Sequence, residues 1–279
     1  MNKLIRAGIK RTFRIKTLYI CMAVLFFIDG FDIIKEVLFP ESGRDLPSPE
    51  GYLLSGFITL VLLAAVFISS FLGSEHQYGT LRNKIAVGHE RLKLYMSSFI
   101  VCYIAVMIMY VFVWLLTGIL GTLLLGGFTS SAKELCILLL ISFLAFTMLT
   151  ALFVLTGMCI HSKSLGSVTA VIAAFLIMFT GVMTVQILSA PQYIPADEIP
   201  TNMLSEYEPS EDDPSLLKNP DYVGGSRRKM IETVHKLCPV SQMIASSEEI
   251  DAEKILIPVA EIVVLMAAGM MIFTKRDLK

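Results

Sequence analysis

The stretches that flank the link at 75–93 carry no charge: Gly51 to Ser74 before it, and the 39 residues from Leu94 to Ala132 after it. Runs of this kind leave few folds open. In hydrocarbon each unpaired backbone polar group costs several kcal/mol, so the backbone must bond to itself, as a helix does. A spanning helix needs roughly 20 mainly apolar residues. Only 17% of the 279 residues are charged and 55% are hydrophobic, whereas soluble domains average about 25% charged. The mean hydropathy is +0.70. The expectation is an all-α integral membrane protein with six transmembrane helices in a single domain over residues 1–279.

The spans fall at about 17–39, 52–73, 94–125, 135–160, 165–190 and 255–274. Span one is unusual. Its uncharged part, Thr17 to Ile28, gives only about 18 Å of helix, against a core about 30 Å thick. The helix must therefore run on through Asp29, Asp32, Lys35 and Glu36 until Pro40 stops it. Gly118, Gly121, Gly126 and Gly127 suggest where span three frays. Only His161 to Ser164 separate spans four and five, which predicts a tight antiparallel hairpin.

Residues 1–16 hold six basic side chains and no acid. On a helical wheel Ile5, Ile9, Thr12 and Phe13 share one face, and Lys3, Arg6, Lys10 and Arg14 the opposite one. That is the pattern of an amphipathic helix lying in the membrane interface. Residues 191–253 form the one large polar segment. Its proline- and acid-rich first part, to Pro220, reads as loop. Met230, Val234 and Leu237 then recur at helical spacing, a second surface helix ended by Cys238-Pro239.

Six spans put both termini on one side. That side collects 14 Lys/Arg and three acids; the other takes nine Lys/Arg and 20 acids. Lys/Arg near span ends mark the cytoplasmic face. The termini and residues 75–93 are therefore expected inside, and 191–253 outside.

Several chemistries find no support. No GxxxxGK[ST] phosphate loop, HExxH or GxSxG occurs, so no ATPase, metalloprotease or serine hydrolase site is expected within the chain. The five cysteines show no CxxC spacing and the four histidines do not cluster, which argues against disulfides and metal ligands. No basic domain suggests nucleic acid. No catalytic residue, metal or cofactor is assigned.

The informative polar segment is the short link between spans two and three, Glu75 to Arg91. Gly79-Thr80 reads as a break, with Thr80 placed to cap a helix over Leu81 to Val87 and Gly88 to end it. Leu81 and Ile85, flanked by Arg82 and Lys84, make that helix amphipathic. Glu75, Gly79, Thr80, Arg82, Ile85, Gly88 and Arg91 together resemble the "E…GT-x-R…L…G-x-x-R" signature of ABC exporter permeases of the type-2 class. Asn219 to Lys229 resembles that family's "NP-x-Y…G-x-x-R-K", and Leu237 to Gln242 its "LP-x-x-Q". Phe273 to Lys279 is similar to its "F-x-[KR]-[KR]-D-[LI]-K" ending. Val87-Gly88-His89 departs from the pattern, since many members carry proline or serine there.

The resemblance implies a half-transporter in a bacterial cell membrane. Two permease chains, alike or different, would form the pathway. Separate cytoplasmic ABC ATPase subunits, carrying ATP and Mg, would drive it. The 75–91 link would be the cytoplasmic coupling helix that meets the ATPase. Charges within spans are functional candidates by default, so Asp29, Asp32, Glu36 and Glu261 are candidate pathway-lining residues. For Glu261 the competing reading is a carboxylate that reaches the outer headgroups. A pathway so poor in charge suits a hydrophobic or amphiphilic substrate such as a peptide, antibiotic or lipid-like molecule. Sodium export, a non-transporting sensor or assembly factor, and a membrane-embedded enzyme are the alternatives.

The topology is testable by cysteine labelling in intact cells. An impermeant reagent should modify a cysteine at Ser210 and spare one at Asn83; equal labelling of both excludes the six-span arrangement.

Overall fold

Six helices are long and apolar enough to cross a membrane. The computed structural model describes residues 1–39, 48–160, 162–195, 215–245 and 252–275. In chain order the helices are α1 (Asn2–Thr12), α2 (Lys16–Leu38), α3 (Pro49–Gln77), α4 (Thr80–Ala86), α5 (Arg91–Leu124), α6 (Ala132–Cys159) and α7 (Lys163–Ser189). Two strands, β1 (Tyr193–Pro195) and β2 (Leu216–Lys218), are followed by α8 (Gly225–Leu237), α9 (Pro239–Ile244) and α10 (Ala252–Lys275). The expected stop at Pro40, the His161 turn, residues 196–214 and 246–251, and the ending from Arg276 lie outside the described residues.

Capping chemistry sets several boundaries. Pro49 opens α3, where its missing N–H costs nothing. Ser131 and Glu134 form a complete capping box at the start of α6. Ser162 accepts the Leu165 N–H at the start of α7. The helix α5 is one unbroken rod of 34 residues, about 51 Å long. Gly118 and Gly121 therefore do not mark fraying. Gly121 instead lets α3 approach, since a Cβ there would lie 2.8 Å from Pro49 Cβ. The rod ends at Leu124, just before Gly126 and Gly127.

The core centres on α3, which packs against α2, α5, α6 and α7. Phe57 of α3 stacks on Tyr110 of α5 at 5.4 Å and meets Phe146 of α6 edge-on at 5.6 Å. Such pairs add about 0.5–1.5 kcal/mol each beyond burial. Polar glue joins the same helices: the Tyr110 hydroxyl lies 2.8 Å from Ser142 Oγ and donates to Leu139 O. Interhelical hydrogen bonds of this kind substitute for a hydrophobic drive that lipid does not supply. The expected α6–α7 hairpin is looser than its short link suggests, because α7 leans on α3 and α6 on α10.

The segment after α7 departs most from expectation. Part of it is ordered as a ribbon, with β1 and β2 antiparallel and Ile194 opposite Leu217. Asn219 ties the ribbon to the end of α7 by donating to Pro191 O, and its Oδ1 accepts the Asp221 N–H. Tyr222 lies under the Arg228 guanidinium, 5.1 Å from it. Met230, Val234 and Leu237 of α8 face outward, away from the protein. Then α9 turns back into the bundle between α6 and α7 and buries Pro239 to Met243. Its Val240 fits against Gly181, where a Cβ would come within 2.7 Å. Ser241 and Gln242 donate to His235 O and Lys236 O, the carbonyls that the end of α8 leaves open. The sequence reading ended this element at Cys238-Pro239 and missed the insertion.

Candidate functional site

One end of the bundle carries α1, the start of α2, the α3–α4 corner and the start of α5. The basic residues Lys3, Arg6 and Lys10 of α1, and Arg14 just after it, are exposed, while Leu4 and Ile9 pack onto the core and Thr12 is buried. Phe13 leaves the apolar face assigned to it and is 46% exposed. Arg11 does the reverse. It sits on the stripe of Leu4, Gly8 and Ile15 and turns inward.

There it meets Glu75, the last acid of α3, whose side chain is only 4% exposed. Arg11 Nη1 donates to Glu75 Oε1 at 2.7 Å, and Lys84 Nζ of α4 donates to the same oxygen at 2.8 Å. Arg11 Nη2 donates to Ser74 Oγ at 2.6 Å, and the guanidinium lies over the Phe71 ring at 4.9 Å. A buried carboxylate is tolerated when it is paired and hydrogen-bonded. Glu75 thus joins α1, α3 and α4 at one atom.

The corner between α3 and α4 is built by Gly79, whose φ of +63 puts it in the left-handed region that glycine adopts without penalty. Thr80 is not the cap. It is the first residue of α4, and its hydroxyl donates back to Glu75 O at 3.0 Å, satisfying a carbonyl at the end of α3. Gly88 does close α4. Its N–H donates to Ile85 O and the His89 N–H to Lys84 O, a Schellman arrangement with Gly88 at φ +95. Leu81 is buried and Ile85 packs on the core, while Arg82 is exposed and Val87 and Tyr78 project at 80% and 72% exposure. Arg91 Nη1 donates to Thr274 O at 3.1 Å, which ties the start of α5 to the end of α10.

The residues expected to act together therefore divide. Glu75, Thr80, Ile85 and Arg91 hold the corner to the bundle, and Gly79 and Gly88 shape it. Arg82 faces outward, and Glu75 bonds Lys84 rather than Arg82. The sequence reading missed Arg11, Lys84 and Ser74 as partners. A signal existed for Arg11, because it is the one cation on the apolar stripe of α1.

The acids of span one share one face of α2, as their spacing requires. Asp29 is 3% exposed and packs into the gap left by Gly56, where a Cβ would lie 2.9 Å from Oδ2. Neither Asp29 oxygen takes a hydrogen bond among the described residues. Asp32 and Glu36 are half-buried toward the far end, close to Tyr52. Glu261 is not gathered with them. It sits on α10, whose main partners are α6, α5 and α8.

Six apolar helices of this length define a multi-pass membrane protein. The chain belongs to the family described as ABC-2 family transporter protein, whose family model matches residues 9–181. The match runs from within α1 to Gly181 in α7 and takes in α4 and the whole Glu75 cluster. It makes the chain a permease component of an ABC transporter, a family that works with an ABC ATPase. No curated protein matches the chain.

The cluster predicts a measurable coupling. Glu75→Gln should lower stability by about 1.5–3 kcal/mol, the size of a hydrogen bond to a charged group. Arg11→Met should cost less in the Glu75→Gln background than alone, by at least about 0.5 kcal/mol. Additive losses in a denaturant titration would show that the two side chains do not share one interaction.

Proposed function

We propose that this chain is the membrane half of an ATP-driven exporter, moving a hydrophobic or amphiphilic substrate out of a bacterial cell by alternating access. Two permease chains form the pathway, and cytoplasmic ABC ATPase subunits, which carry the ATP and Mg, dock on the α3–α4 corner. In this reading both termini are cytoplasmic and the 191–253 segment is outside. The observation that carries it is mechanical. The helix α4 exposes Arg82 and Val87 but is bolted through Lys84, Glu75 and Leu81 to α3, the helix at the centre of the bundle. A force applied at Arg82 and Val87 is thereby delivered to α3, and through Arg11 to α1, instead of being lost in a flexible loop. Asp29, Asp32 and Glu36 line the pathway in the outer half of the bundle, with Glu261 as a separate lining candidate.

Two substitutions test the coupling role. Gly79→Pro fixes φ near −65° and removes an N–H that donates to His76 O. Arg82→Glu reverses an exposed charge. Both variants should insert and accumulate like the parent, yet lose substrate-stimulated ATP hydrolysis by the partner while the isolated ATPase keeps its basal rate. If both stimulate and transport normally, the corner is only a connector.

The pathway assignment is read by thiol accessibility. With the five native cysteines replaced, single cysteines at 29 and 32 should react with a membrane-impermeant reagent during turnover, and one at the outward-facing Phe31 should not. Reactivity uniform around α2 removes the case for lining residues.

A further inference from the structure

A half-open cavity of about 440 Å³ lies beside the Glu75 cluster, between the starts of α2 and α7 and the last turns of α3. Arg11 and Lys163 stand at its rim, with the hydroxyls of Ser70 and Ser74 in its wall. Its deeper surface is aromatic, made by Phe71 and, one turn further into the bundle, Phe67. Among the described residues no acidic side chain lines it.

The charge here is not balanced. Arg11 and Lys84 both converge on the single carboxylate of Glu75, so two positive charges share one negative. Lys163 adds a third cation and has no ion-pair partner among the described residues. The Arg11 guanidinium and the Lys163 backbone are held in place, and the Lys163 side chain is exposed. Arg11 is fixed by Ser74 and Phe71, and uses only two of its five N–H donors on the contacts described. The backbone of Lys163 is pressed against Gly73, where a Cβ would lie 3.0 Å from Lys163 Cα. The Ser74 hydroxyl is already spent on Phe71 O, but the unused Arg11 N–H donors, the Lys163 ammonium and the Ser70 hydroxyl suit a phosphate oxyanion. The aromatic floor suits a short apolar chain attached to it. The rim lies at the end of the spanning helices, beside the basic face of α1, at the depth where headgroups of anionic lipids gather.

We propose that this cavity binds a phosphate ester, presented either as the headgroup of an anionic lipid or as a soluble ester. Nothing in this assignment depends on the transported substrate or on the docking of an ATPase.

Native mass spectrometry of the intact purified chain, titrated with phosphatidylglycerol or phosphatidylcholine, tests it. The parent should retain one phosphatidylglycerol in preference to phosphatidylcholine. Lys163→Gln should weaken that retention about fivefold, the effect of one cation near an anionic headgroup. Ser70→Leu, which fills the cavity and leaves the charge alone, should also weaken it. Lys10→Gln, which removes a charge from the exposed face of α1, should not. Displacement of the lipid by millimolar glycerol 3-phosphate assigns the site to a soluble ester, and persistence assigns it to the lipid. Equal retention of the two lipids by the parent overturns the proposal. So does parent-like retention by both Lys163→Gln and Ser70→Leu, or a loss in Lys10→Gln as large as in Lys163→Gln.

Discussion

The bonds to one oxygen of Glu75 organise the charged end of this molecule. A carboxylate at 4% exposure would cost several kcal/mol unpaired. Here it is held by Arg11 from α1 and Lys84 from α4. The two cations reach the same oxygen from two different helices. That geometry pins an interfacial helix and a short surface helix to one spanning helix. Without it, α4 would be a seven-residue helix too short to persist alone, and α1 would keep mainly its apolar contacts to α5. The residues that bring the corner together are local: a left-handed Gly79, the Thr80 hydroxyl turned back to Glu75 O, and a Schellman stop at Gly88.

How much of this was legible in the sequence depends on whether the signal is local. The six spans follow from uncharged runs and agree with the structure to within a few residues at most ends. The end of α4 was legible because Gly88 carries its own geometry. The role of Thr80 was not, since a threonine before an apolar run reads equally as a cap and as a first-turn residue. Only the position of Glu75 O decides between them. Arg11 shows a different limit. Its place on the apolar stripe is visible in the spacing, but its partner lies 64 residues away. The burial of α9 was hidden for a third reason. Pro239 to Ile244 is too short for a periodic signal, and its fit depends on Gly181 in another helix.

The bundle also shows how unevenly lipid-facing helices are held. Within their most apolar windows α6 buries 61% and α3 56% of residues, whereas α7 buries 22% and α10 17%. Lipid tails are as apolar as leucine, so an outward leucine gains little by moving inward. What fixes the outer helices is close approach and hydrogen bonding at a few points. For α7 these include Gly73 of α3 against Lys163, Gly181 against Val240 and the Arg228 bond to Leu188 O. For α10 one is the Arg91 bond to Thr274 O. The segment between α7 and α10 is therefore part of what positions α7, beyond being a connection between spans.

Glu75 and Asp29 are two answers to one constraint, the cost of a carboxylate away from water. Glu75 is paired by charge at one oxygen, through cations from two other helices, and so belongs to the frame, although its Oε2 takes no hydrogen bond among the described residues. Asp29 is accommodated by shape. Gly56 and Val113 leave a space its carboxyl group fills, and no donor in that space bonds it. Packing of this kind costs free energy that the surrounding apolar contacts must offset. Because α3 is also the helix to which α4 is bolted, the acidic face of α2 and the charged corner act on the same element from opposite ends.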